Sequence, residues 1–397
     1  AKGTPSKPII MTSSAAVGQR RGGDWGGLLM CGKAATNHSG GEAALEGGIA
    51  DANRVRGWFG GKDAPDDNDS SGVISYVRIE FAGIAANPNQ ELNSLTMGAI
   101  GRRTILDHIM VSYANDDAYE WFGGTVNAKY LIAVGTLDDD FDGDNGWSGK
   151  VQFGLTQRYK DRADVSTSQS FEMDNDANST FNLPLTKPVF SNITAIGPIQ
   201  DTSWSTGSGA NQFNSRFGAA AQIRRNSRAS ITNTLFIGWP RGIEILSSGS
   251  QGAASRDSIA IRNNSWFGVK GQTLRLDGTN PAISADWLTT ANFNNYLDAS
   301  NPNNAKITNP FVYNDDISFN PVPKSDANYL TNASFDAVGA VPIDDEFFTK
   351  VSYRGAFSSV IAERWDLPWA EYDPINALYE PSSVNDNPNA GIITSEI

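Results

Sequence analysis

Apolar and polar residues alternate along short segments of this 397-residue chain, and each segment ends at a small or turn-forming residue. The clearest segments are residues 73–83, 104–114, 126–136, 188–198, 230–240 and 260–269. A polar residue occupies a matching place in each: Tyr76, Asp107, Lys129, Asn192, Asn233 and Asn263. Period-two alternation of β-branched and aromatic residues, punctuated by Gly, Asn and Asp, predicts β-strands.

The intervals between the matching residues range from about 20 to about 60 positions, which suits one coil of a β-solenoid per step. Long insertions are then expected around 145–187 and 198–220. A β-sandwich would join its strands by hairpin turns, and few Asn-Gly or Asp-Gly pairs separate the segments. The recurring Asn is typical of side chains stacked coil on coil, although turn formation alone also favours Asn.

The pattern therefore predicts an all-β chain folded as a right-handed parallel β-helix, with a β-propeller or β-sandwich as the alternative. Apolar side chains of the segments are expected to point inward or to pack between coils: Val77, Ile79, Ile109, Leu131, Ile193, Leu235 and Trp266. Residues 1–285 would form the coils, preceded by a leader or by earlier coils. Residues 286–380 mix short helices and loops and are expected to form an irregular C-terminal cap packed on the solenoid. Residues 381–397 resemble a loose tail or linker.

Composition narrows the possible chemistry. The chain has 44 acidic and 31 basic residues, a formal net charge of -13, which argues against nucleic acid as a partner. A single Cys and two His supply thiolate or imidazole metal sites poorly, so hard, oxygen-ligated cations are the metals that this composition serves. No apolar stretch is long enough to suggest a transmembrane segment.

One acidic run stands out, LDDDFDGDNG at residues 137–146. Like charges this close repel one another by roughly 1 kcal/mol per pair in water, and more where water is excluded. A coil-like interval separates the run from Asp116, Asp117 and Glu120, and another precedes Glu172, Asp174 and Asp176. Stacked coils would bring these acids together as a Ca²⁺ site; the alternative is a set of solvated Asp-rich turns.

Several longer motifs carry a family resemblance: GDWGGLLMCGKA (23–34), SGVISYVRIEFAG (71–83), DDAYEWFGGTVNAKYLIA (116–133), DDDFDGDNGWSGKVQFGL (138–155) and WAEYDP (369–374). They resemble a group of secreted or lipid-anchored bacterial surface proteins predicted to be right-handed β-helices. That group is common among outer-membrane proteins of glycan-foraging and gliding bacteria. The resemblance covers nearly the whole chain and implies export and a location at the cell surface, associated with the outer membrane. It implies no particular reaction.

A local resemblance connects the acidic run to calcium-dependent pectate lyases. One such family binds Ca²⁺ through an Asp of one coil and an Asp-Asp-Gly-Trp-Asp run of the next. Asp117 matches the first, and Asp138, Asp139 and Asp142 match the acids of the run, with Asp140 and Phe141 in the Gly and Trp places. The resemblance implies a Ca²⁺ site at these residues, with Glu172 or Asp174 as a further ligand. The family's catalytic Lys has no clear match, although Lys150, Arg158 and Lys160 lie nearby.

Two functions follow as hypotheses. The first is a calcium-stabilised structural or binding module that holds a polysaccharide, a neighbouring surface protein or a copy of itself. The second is a calcium-dependent lyase acting on acidic glycans. Trp121 and Trp147 are candidates for stacking on sugar rings, and Arg158 for gripping an acidic sugar. Because a base in a recognisable motif is missing, the sequence favours the first hypothesis and identifies no catalytic residue.

Overall fold

A computed structural model describes residues 1–53, 56–87 and 90–379 of the chain. Within these ranges the strands are, in chain order, β1 (Ile9–Met11), β2 (Leu28–Cys31), β3 (Ala43–Ala44), β4 (Trp58–Phe59), β5 (Val73–Glu80), β6 (Ala85–Asn87), β7 (Gln90–Glu91), β8 (Leu95–Gly98), β9 (Ile105–Ser112), β10 (Tyr119–Phe122), β11 (Ala128–Val134), β12 (Phe141–Asp144), β13 (Lys150–Gln157), β14 (Phe171–Met173), β15 (Val189–Ile196), β16 (Ser205–Thr206), β17 (Gln212–Phe213), β18 (Ala219–Ile223), β19 (Ser230–Thr232), β20 (Leu235–Ile237), β21 (Arg241–Ile245), β22 (Ile261–Arg262), β23 (Ser265–Phe267), β24 (Leu274–Leu276), β25 (Tyr296–Asp298), β26 (Ile307–Asn309) and β27 (Asn320–Pro323). The expected tail at 381–397 lies outside the described residues.

Helices are few and short. One α-helix, α1, spans Ser248–Ala254, and 3₁₀ helices span Trp287–Thr289, Ala291–Phe293, Pro302–Ala305 and Ile361–Glu363. None of the helices in the described ranges has the length and apolar character needed to cross a bilayer.

Two long parallel sheets run side by side along the solenoid. Sheet 1 contains β1, β5, β9, β11, β13, β15, β20, β23 and β25 in that order, with β19 and β22 alongside. Sheet 2 contains β2, β8, β10, β12, β14, β18, β21 and β24. Each coil contributes one strand region to each sheet, and neighbouring coils pair in parallel. The predicted all-β parallel β-helix is confirmed, and the hairpin-built alternatives are excluded. The parallel pairing continues past residue 285, as far as β25.

The core lies between the two sheets. Its largest fully buried side chains include Trp121, Trp147, Trp239 and Trp266. Six of the residues expected to point inward pack in this core: Val77, Ile79, Ile109, Leu131, Ile193 and Trp266. Leu235 is also buried, but it belongs to a separate apolar cluster on the outer face of sheet 1.

A single residue with left-handed backbone divides each sheet 1 strand region, at the same place in successive coils. These residues are Tyr76, His108, Tyr130, Phe153, Asn192, Asn233 and Asn263, with φ between 51° and 61°. Asn enters this region more readily than most residues, which accounts for the later members. The expected matching set was therefore wrong by one residue in two coils, because His108 and Tyr130 occupy the position rather than Asp107 and Lys129.

The early members of this set form an aromatic stack. The ring centroids of Tyr76 and His108 are 4.3 Å apart, those of His108 and Tyr130 4.3 Å, and those of Tyr130 and Phe153 5.2 Å. The later Asn side chains instead reach the C-terminal segment. Asn192 donates to the carbonyl oxygen of Tyr353 at 2.8 Å, and Asn233 donates to that of Ser334 at 2.9 Å.

The C-terminal segment covers the outer face of sheet 1. Apolar side chains there, such as Ile132 and Leu155, pack against Phe357, Trp369 and Tyr372. Further along, Phe335 and Phe348 pack on Val189 and Ala260. Burial of this apolar surface attaches the segment to the coils. Sheet 1 therefore presents little of its outer face to solvent.

The same segment reaches the first coil. The Arg20 guanidinium donates to the carbonyl oxygens of Pro374 at 2.7 Å and Ala377 at 3.0 Å. The Tyr379 hydroxyl donates to the Glu80 carboxylate at 2.8 Å, and the Arg20 guanidinium lies 4.8 Å from the centroid of the Tyr379 ring. Hydrogen bonds to charged groups are among the stronger ones, so these contacts hold the end of the segment on the early coils.

Candidate metal centre

The acidic run of residues 137–146 is partly a strand, not only a loop. Its second half forms β12, Phe141–Asp144, in sheet 2. Phe141 and Gly143 are buried, whereas Asp142 and Asp144 are half-buried on the opposite face. A Cβ atom on Gly143 would lie 2.8 Å from the Trp147 ring, so the residue between the two acids must be Gly. The strand thus turns alternate Asp side chains away from the core.

Parallel register places carboxylates above one another. Glu120 on β10 pairs with Asp142 on β12, and Asp142 pairs with Glu172 on β14. Strands in a sheet lie about 4.8 Å apart, which is within the reach of a shared cation. In the preceding turn, the backbone N–H of Asp139 donates to the Asp117 carboxylate at 2.7 Å. Acids from three successive coils therefore meet on one side of sheet 2.

These acids form three overlapping groups whose carboxylate oxygens lie within 4.8 Å of one another. The groups are Asp116, Asp117 and Asp138; Asp117, Glu120 and Asp142; and Asp139, Asp142 and Glu172. Shared Asp117 and Asp142 join them into one set, called here the acidic cluster. The structure therefore brings together Asp117, Asp138, Asp139, Asp142 and Glu172, as the coil spacing predicts. Whether they bind an ion stays a prediction at this point.

The carboxylates of the acidic cluster are largely buried, which strengthens the repulsion between them. Asp117 and Glu120 are each 6% exposed, and Asp139 is 3% exposed. The Oδ1 atoms of Asp138 and Asp142 are buried and have no hydrogen-bond partner. A buried polar atom without a partner costs about 1–3 kcal/mol, and more when it is charged. Two such atoms on acids of one cluster are what a bound cation would satisfy.

Burial raises the pKa values of Asp117, Glu120, Asp139 and Asp142 well above their usual range, and neighbouring carboxylates raise them further. Burial raises the pKa of Asp138 to about 6. It also raises the pKa of Glu172 to about 7, although the Arg224 guanidinium opposes the shift. Proton uptake is one means of relieving the repulsion, and a divalent cation is the other.

Of the two predicted further ligands, Glu172 belongs to the acidic cluster and Asp174 is in none of its three groups. Arg224 Nε lies 2.9 Å from one of its carboxylate oxygens and 3.0 Å from the other, and an Arg225 nitrogen lies 2.7 Å away. Both oxygens are therefore already paired. Arg224 also pairs with Glu172, so this arginine lies at the end of the acidic cluster that the third coil contributes.

The predicted ligand-binding roles of Trp121, Trp147 and Arg158 are wrong. Both tryptophans are 0% exposed, and their rings stack at 4.2 Å between centroids inside the core. Arg158 is equally buried, and it donates to the Asp140 carboxylate at 2.8 Å. A side chain with no solvent-facing surface cannot stack on or grip a glycan. These residues stabilise the coils beneath the acidic cluster.

The basic residues near the run have other partners. Lys150 pairs with Asp345 at 3.1 Å, and Lys160 pairs with its neighbour Asp161 at 2.9 Å. Neither ion pair involves a residue of the acidic cluster. The lysine that the lyase hypothesis requires thus has no counterpart in either position.

Sequence spacing missed two neighbours of the acidic cluster. Asn93, one coil earlier, donates its side-chain amide to the carboxylates of Glu46 and Glu120. Glu46 lies in the long connection between β2 and β5, which brings it over the first-coil end of the acidic cluster. Strand register would have found Asn93: Leu95 pairs with Tyr119, so Asn93, two residues before Leu95, lies beside Asp117, two residues before Tyr119. Nothing in the sequence pattern places Glu46.

The donor set is entirely oxygen, from carboxylates on three coils. Such a set suits a hard divalent cation, since Ca²⁺ accepts six to eight oxygen ligands, several from carboxylates, in variable geometry. Thiolate and imidazole ligands, which softer transition metals favour, are absent from the three groups. The acidic cluster is therefore a group of side chains capable of holding a metal ion.

Comparison with known proteins agrees with the architecture. The family model described as a pectate-lyase-like β-helix domain matches residues 1–309. A search of curated proteins found no match. The matched region includes every strand of both long sheets, and it contains the acidic cluster. The chain belongs to the pectate-lyase-like β-helix domain family.

Proposed function

We propose that this chain is an exported cell-surface protein in which the acidic cluster binds Ca²⁺ and stiffens the β-helix. In this role the protein is a structural or binding module that holds a polysaccharide or another surface protein, or assembles with copies of itself. The observation that carries the calcium proposal is the pair of buried, unpartnered oxygens of Asp138 and Asp142 within a set of stacked carboxylates.

The ion would join three coils. Asp117 and Glu120 come from the first of them, Asp138, Asp139 and Asp142 from the second, and Glu172 from the third. Binding to the folded state alone stabilises it by RT ln(1 + [Ca²⁺]/Kd), about 2.7 kcal/mol at a hundredfold excess over Kd. Stacked coils otherwise depend on contacts with their nearest neighbours, so an ion bridging several coils resists local opening.

The outer face of sheet 2 suits a hydroxyl-rich partner. Sheet 1 is covered by the C-terminal segment, whereas sheet 2 carries a polar row in register: Glu120, Asp142, Glu172, Gln222 and Glu244. Beside this row, Arg241 and Arg275 pair with Glu244 and remain partly exposed. Because Glu244 is 0% exposed, the groups left to hydrogen-bond sugar hydroxyls at this end of the row are Arg241 and Arg275. Their ion pairs with Glu244 hold them in place, which limits the loss of conformational entropy on binding.

Titration calorimetry with Ca²⁺ and with Mg²⁺ tests the ion site, because the irregular carboxylate set should prefer the larger ion. Pull-down on insoluble and immobilised polysaccharides, in Ca²⁺ and in EDTA, tests the binding role. Surface accessibility to added protease in intact cells tests export. Absence of calcium binding would overturn the calcium proposal, and retention of calcium binding without any glycan or protein capture would favour self-assembly, which light scattering measures.

A second candidate is a calcium-dependent lyase of acidic polysaccharides, which the family match favours. Bound Ca²⁺ would neutralise a uronate carboxylate and so acidify the adjacent C–H. A basic side chain must then remove that proton, and Arg224 lies beside the acidic cluster but is paired with Glu172 and Asp174. Ultraviolet absorbance of unsaturated product, from pectate and alginate with and without chelator, separates the candidates. Chelator-sensitive product that is lost in Arg224→Ala would establish the lyase.

A further inference from the structure

A cavity of about 200 Å³ lies away from the acidic cluster, between the coils and the C-terminal segment. Its walls include Lys187, Val189, Arg228, Ser230, Ser258 and Val341. Val189 begins β15 and Ser230 begins β19, which pair in register on neighbouring coils. Val341 comes from the C-terminal segment. The cavity is thus formed by four separate stretches of chain and exists only in the folded protein.

Within the described residues, Arg228 is a half-buried arginine that pairs with no carboxylate. Its Nε atom is buried and has no hydrogen-bond partner. Burial lowers the pKa of Arg228, and the positive charge of nearby Arg256 lowers it further, with no carboxylate opposing the shift. By contrast, Arg158 pairs with Asp140 and Arg224 pairs with Glu172 and Asp174. A guanidinium partly removed from water without an acid beside it is costly, because buried charges are normally paired.

Two further positive charges surround the same point. Lys187 lines the cavity, and Arg256 acts on Arg228 electrostatically. Within the described residues, neither Lys187 nor Arg228 forms an ion pair with an acid. The net charge of the whole chain is -13, so a concentration of unpaired positive charge around a cavity is not what its composition predicts. Such a site attracts an anion and gains stability when the anion binds.

The remaining walls indicate the form of that anion. Val189, Val341 and Pro342 offer apolar surface, and Ser230 and Ser258 offer hydroxyl groups. The Ser230 hydroxyl oxygen already accepts the Ala260 N–H at 2.9 Å, so its own hydrogen remains available to donate. The volume is below the ~300 Å³ at which pockets for drug-sized ligands begin. A ligand of about ten non-hydrogen atoms, with one acidic end and one apolar end, matches these walls.

We propose that this cavity binds a small organic carboxylate, whose anionic group pairs with the Arg228 guanidinium and whose apolar part packs on Val189 and Val341. Arginine suits this role because its planar group forms two parallel hydrogen bonds to a carboxylate. The site is independent of the acidic cluster and does not rest on the proposed calcium site. It would give the protein a second, metal-independent ligand.

Titration calorimetry on the full chain tests the proposal with benzoate and hexanoate as probes and with benzamide and hexanamide as neutral counterparts of the same shape. We expect saturable binding of the two acids and none of the two amides. Arg228→Gln should weaken acid binding at least tenfold, and Arg228→Lys should retain part of it. Arg102→Gln, a partly exposed arginine that pairs loosely with Asp67 at 3.8 Å, is the control and should bind the acids like the parent protein.

Thermal unfolding shows whether the Arg228→Gln variant is folded. Without ligand, Arg228→Gln should melt at the same temperature as the parent protein or higher, because an unpaired, partly buried charge is removed. Adding benzoate should raise the melting temperature of the parent protein and leave that of Arg228→Gln unchanged. The proposal is overturned if the acids do not bind at tens of millimolar, if the amides bind equally well, or if Arg228→Gln binds benzoate like the parent.

Discussion

The Asp117 carboxylate accepts a 2.7 Å hydrogen bond from the backbone N–H of Asp139, one coil further along the solenoid. Both residues belong to the acidic cluster. The Asp117 carboxylate therefore connects adjacent coils by a hydrogen bond to the backbone. It also repels the neighbouring carboxylates, and a bound cation would relieve that repulsion. Ion binding at the proposed site would consequently be linked to coil stability, and each could be measured through the other.

Chelation should lower the melting temperature, and Asp139→Asn should remove most of that sensitivity. The Asp139 carboxylate accepts the Gln169 N–H, and an Asn oxygen can accept the same bond, so the fold should persist without the charge. Differential scanning calorimetry in millimolar Ca²⁺ and in EDTA measures the difference. A hundredfold excess of Ca²⁺ over Kd corresponds to about 2.7 kcal/mol.

Asp201→Asn is the matched control, because this exposed aspartate accepts the Ser203 N–H in a turn outside the acidic cluster. It should keep the full response to chelator. Identical melting curves in Ca²⁺ and EDTA for the unaltered protein would mean that the acidic cluster holds no stabilising ion.

Stability in EDTA should fall as the pH rises from about 5 to about 8. The folded-state pKa values of Asp138, about 6, and Glu172, about 7, lie above the unfolded values, so the folded state binds more protons in this range. Stability gained from these protons is complete below the unfolded values and disappears as the pH passes the folded ones. Each pKa unit corresponds to at most about 1.4 kcal/mol per group.

Saturating Ca²⁺ should flatten this dependence, because the ion replaces the protons, and calcium affinity should itself increase over the same pH interval. Urea unfolding at several pH values, with and without Ca²⁺, measures both effects. A stability in EDTA that rises between pH 5 and pH 8 would contradict the assigned direction of the pKa shifts.

Arg158→Met should destabilise the protein by about 3–5 kcal/mol, because it leaves the Asp140 carboxylate buried and unpaired. Both side chains are 0% exposed and lie 2.8 Å apart. The loss should be larger at pH 8 than at pH 5, since protonation of Asp140 relieves the unpaired charge. Urea unfolding measures the effect, with Arg102→Met as the exposed comparison. A loss under 1 kcal/mol would mean that the pair is unimportant for folding.

Substitutions at Asn233 separate backbone conformation from hydrogen bonding. Its side chain donates to the Ser334 carbonyl oxygen at 2.9 Å and accepts the Ser334 N–H at 3.0 Å, and its φ is 51°. Asn233→Gly keeps the left-handed backbone and loses both bonds, together with the one that Asn233 donates to the Ser191 hydroxyl at 3.1 Å, at about 1–3 kcal/mol. Asn233→Ala should cost about 1 kcal/mol more, because a Cβ disfavours that conformation. Equal stability of the two variants would show that the left-handed backbone conformation at this position imposes no measurable cost on Ala.

The strand pattern was predictable because period-two alternation survives in every coil, but its exact register was not. Asp107 and Lys129 were matched to Asn192 because they are polar, whereas the shared property is a left-handed backbone, which His108 and Tyr130 adopt. A polar side chain therefore identifies the left-handed position only in the later coils, where that residue is Asn. The conformation is imposed by the neighbouring coils, and a single sequence does not record it.

The acidic cluster was predictable from coil spacing, but the burial and the partners of the residues around it were not. Coil spacing alone brings Asp117, Asp139 and Asp142 together, since one coil returns the chain to the same place. Exposure of Trp121, Trp147 and Arg158 depends on which face of a strand they occupy and on what covers it. The partners of Asp174, Arg224 and Arg225, come directly after β18, across a long insertion whose path no local pattern defines.

The contacts of Arg20 and Tyr379 have a consequence for the order of folding. Arg20 meets Pro374, 354 positions later, and Glu80 meets Tyr379, 299 positions later, so these contacts cannot form until the C-terminal segment has been made. Until then the outer face of sheet 1, with Ile132 and Leu155, has no cover. The coils synthesised first therefore gain their cover last, which leaves a long apolar sheet surface open to association during synthesis.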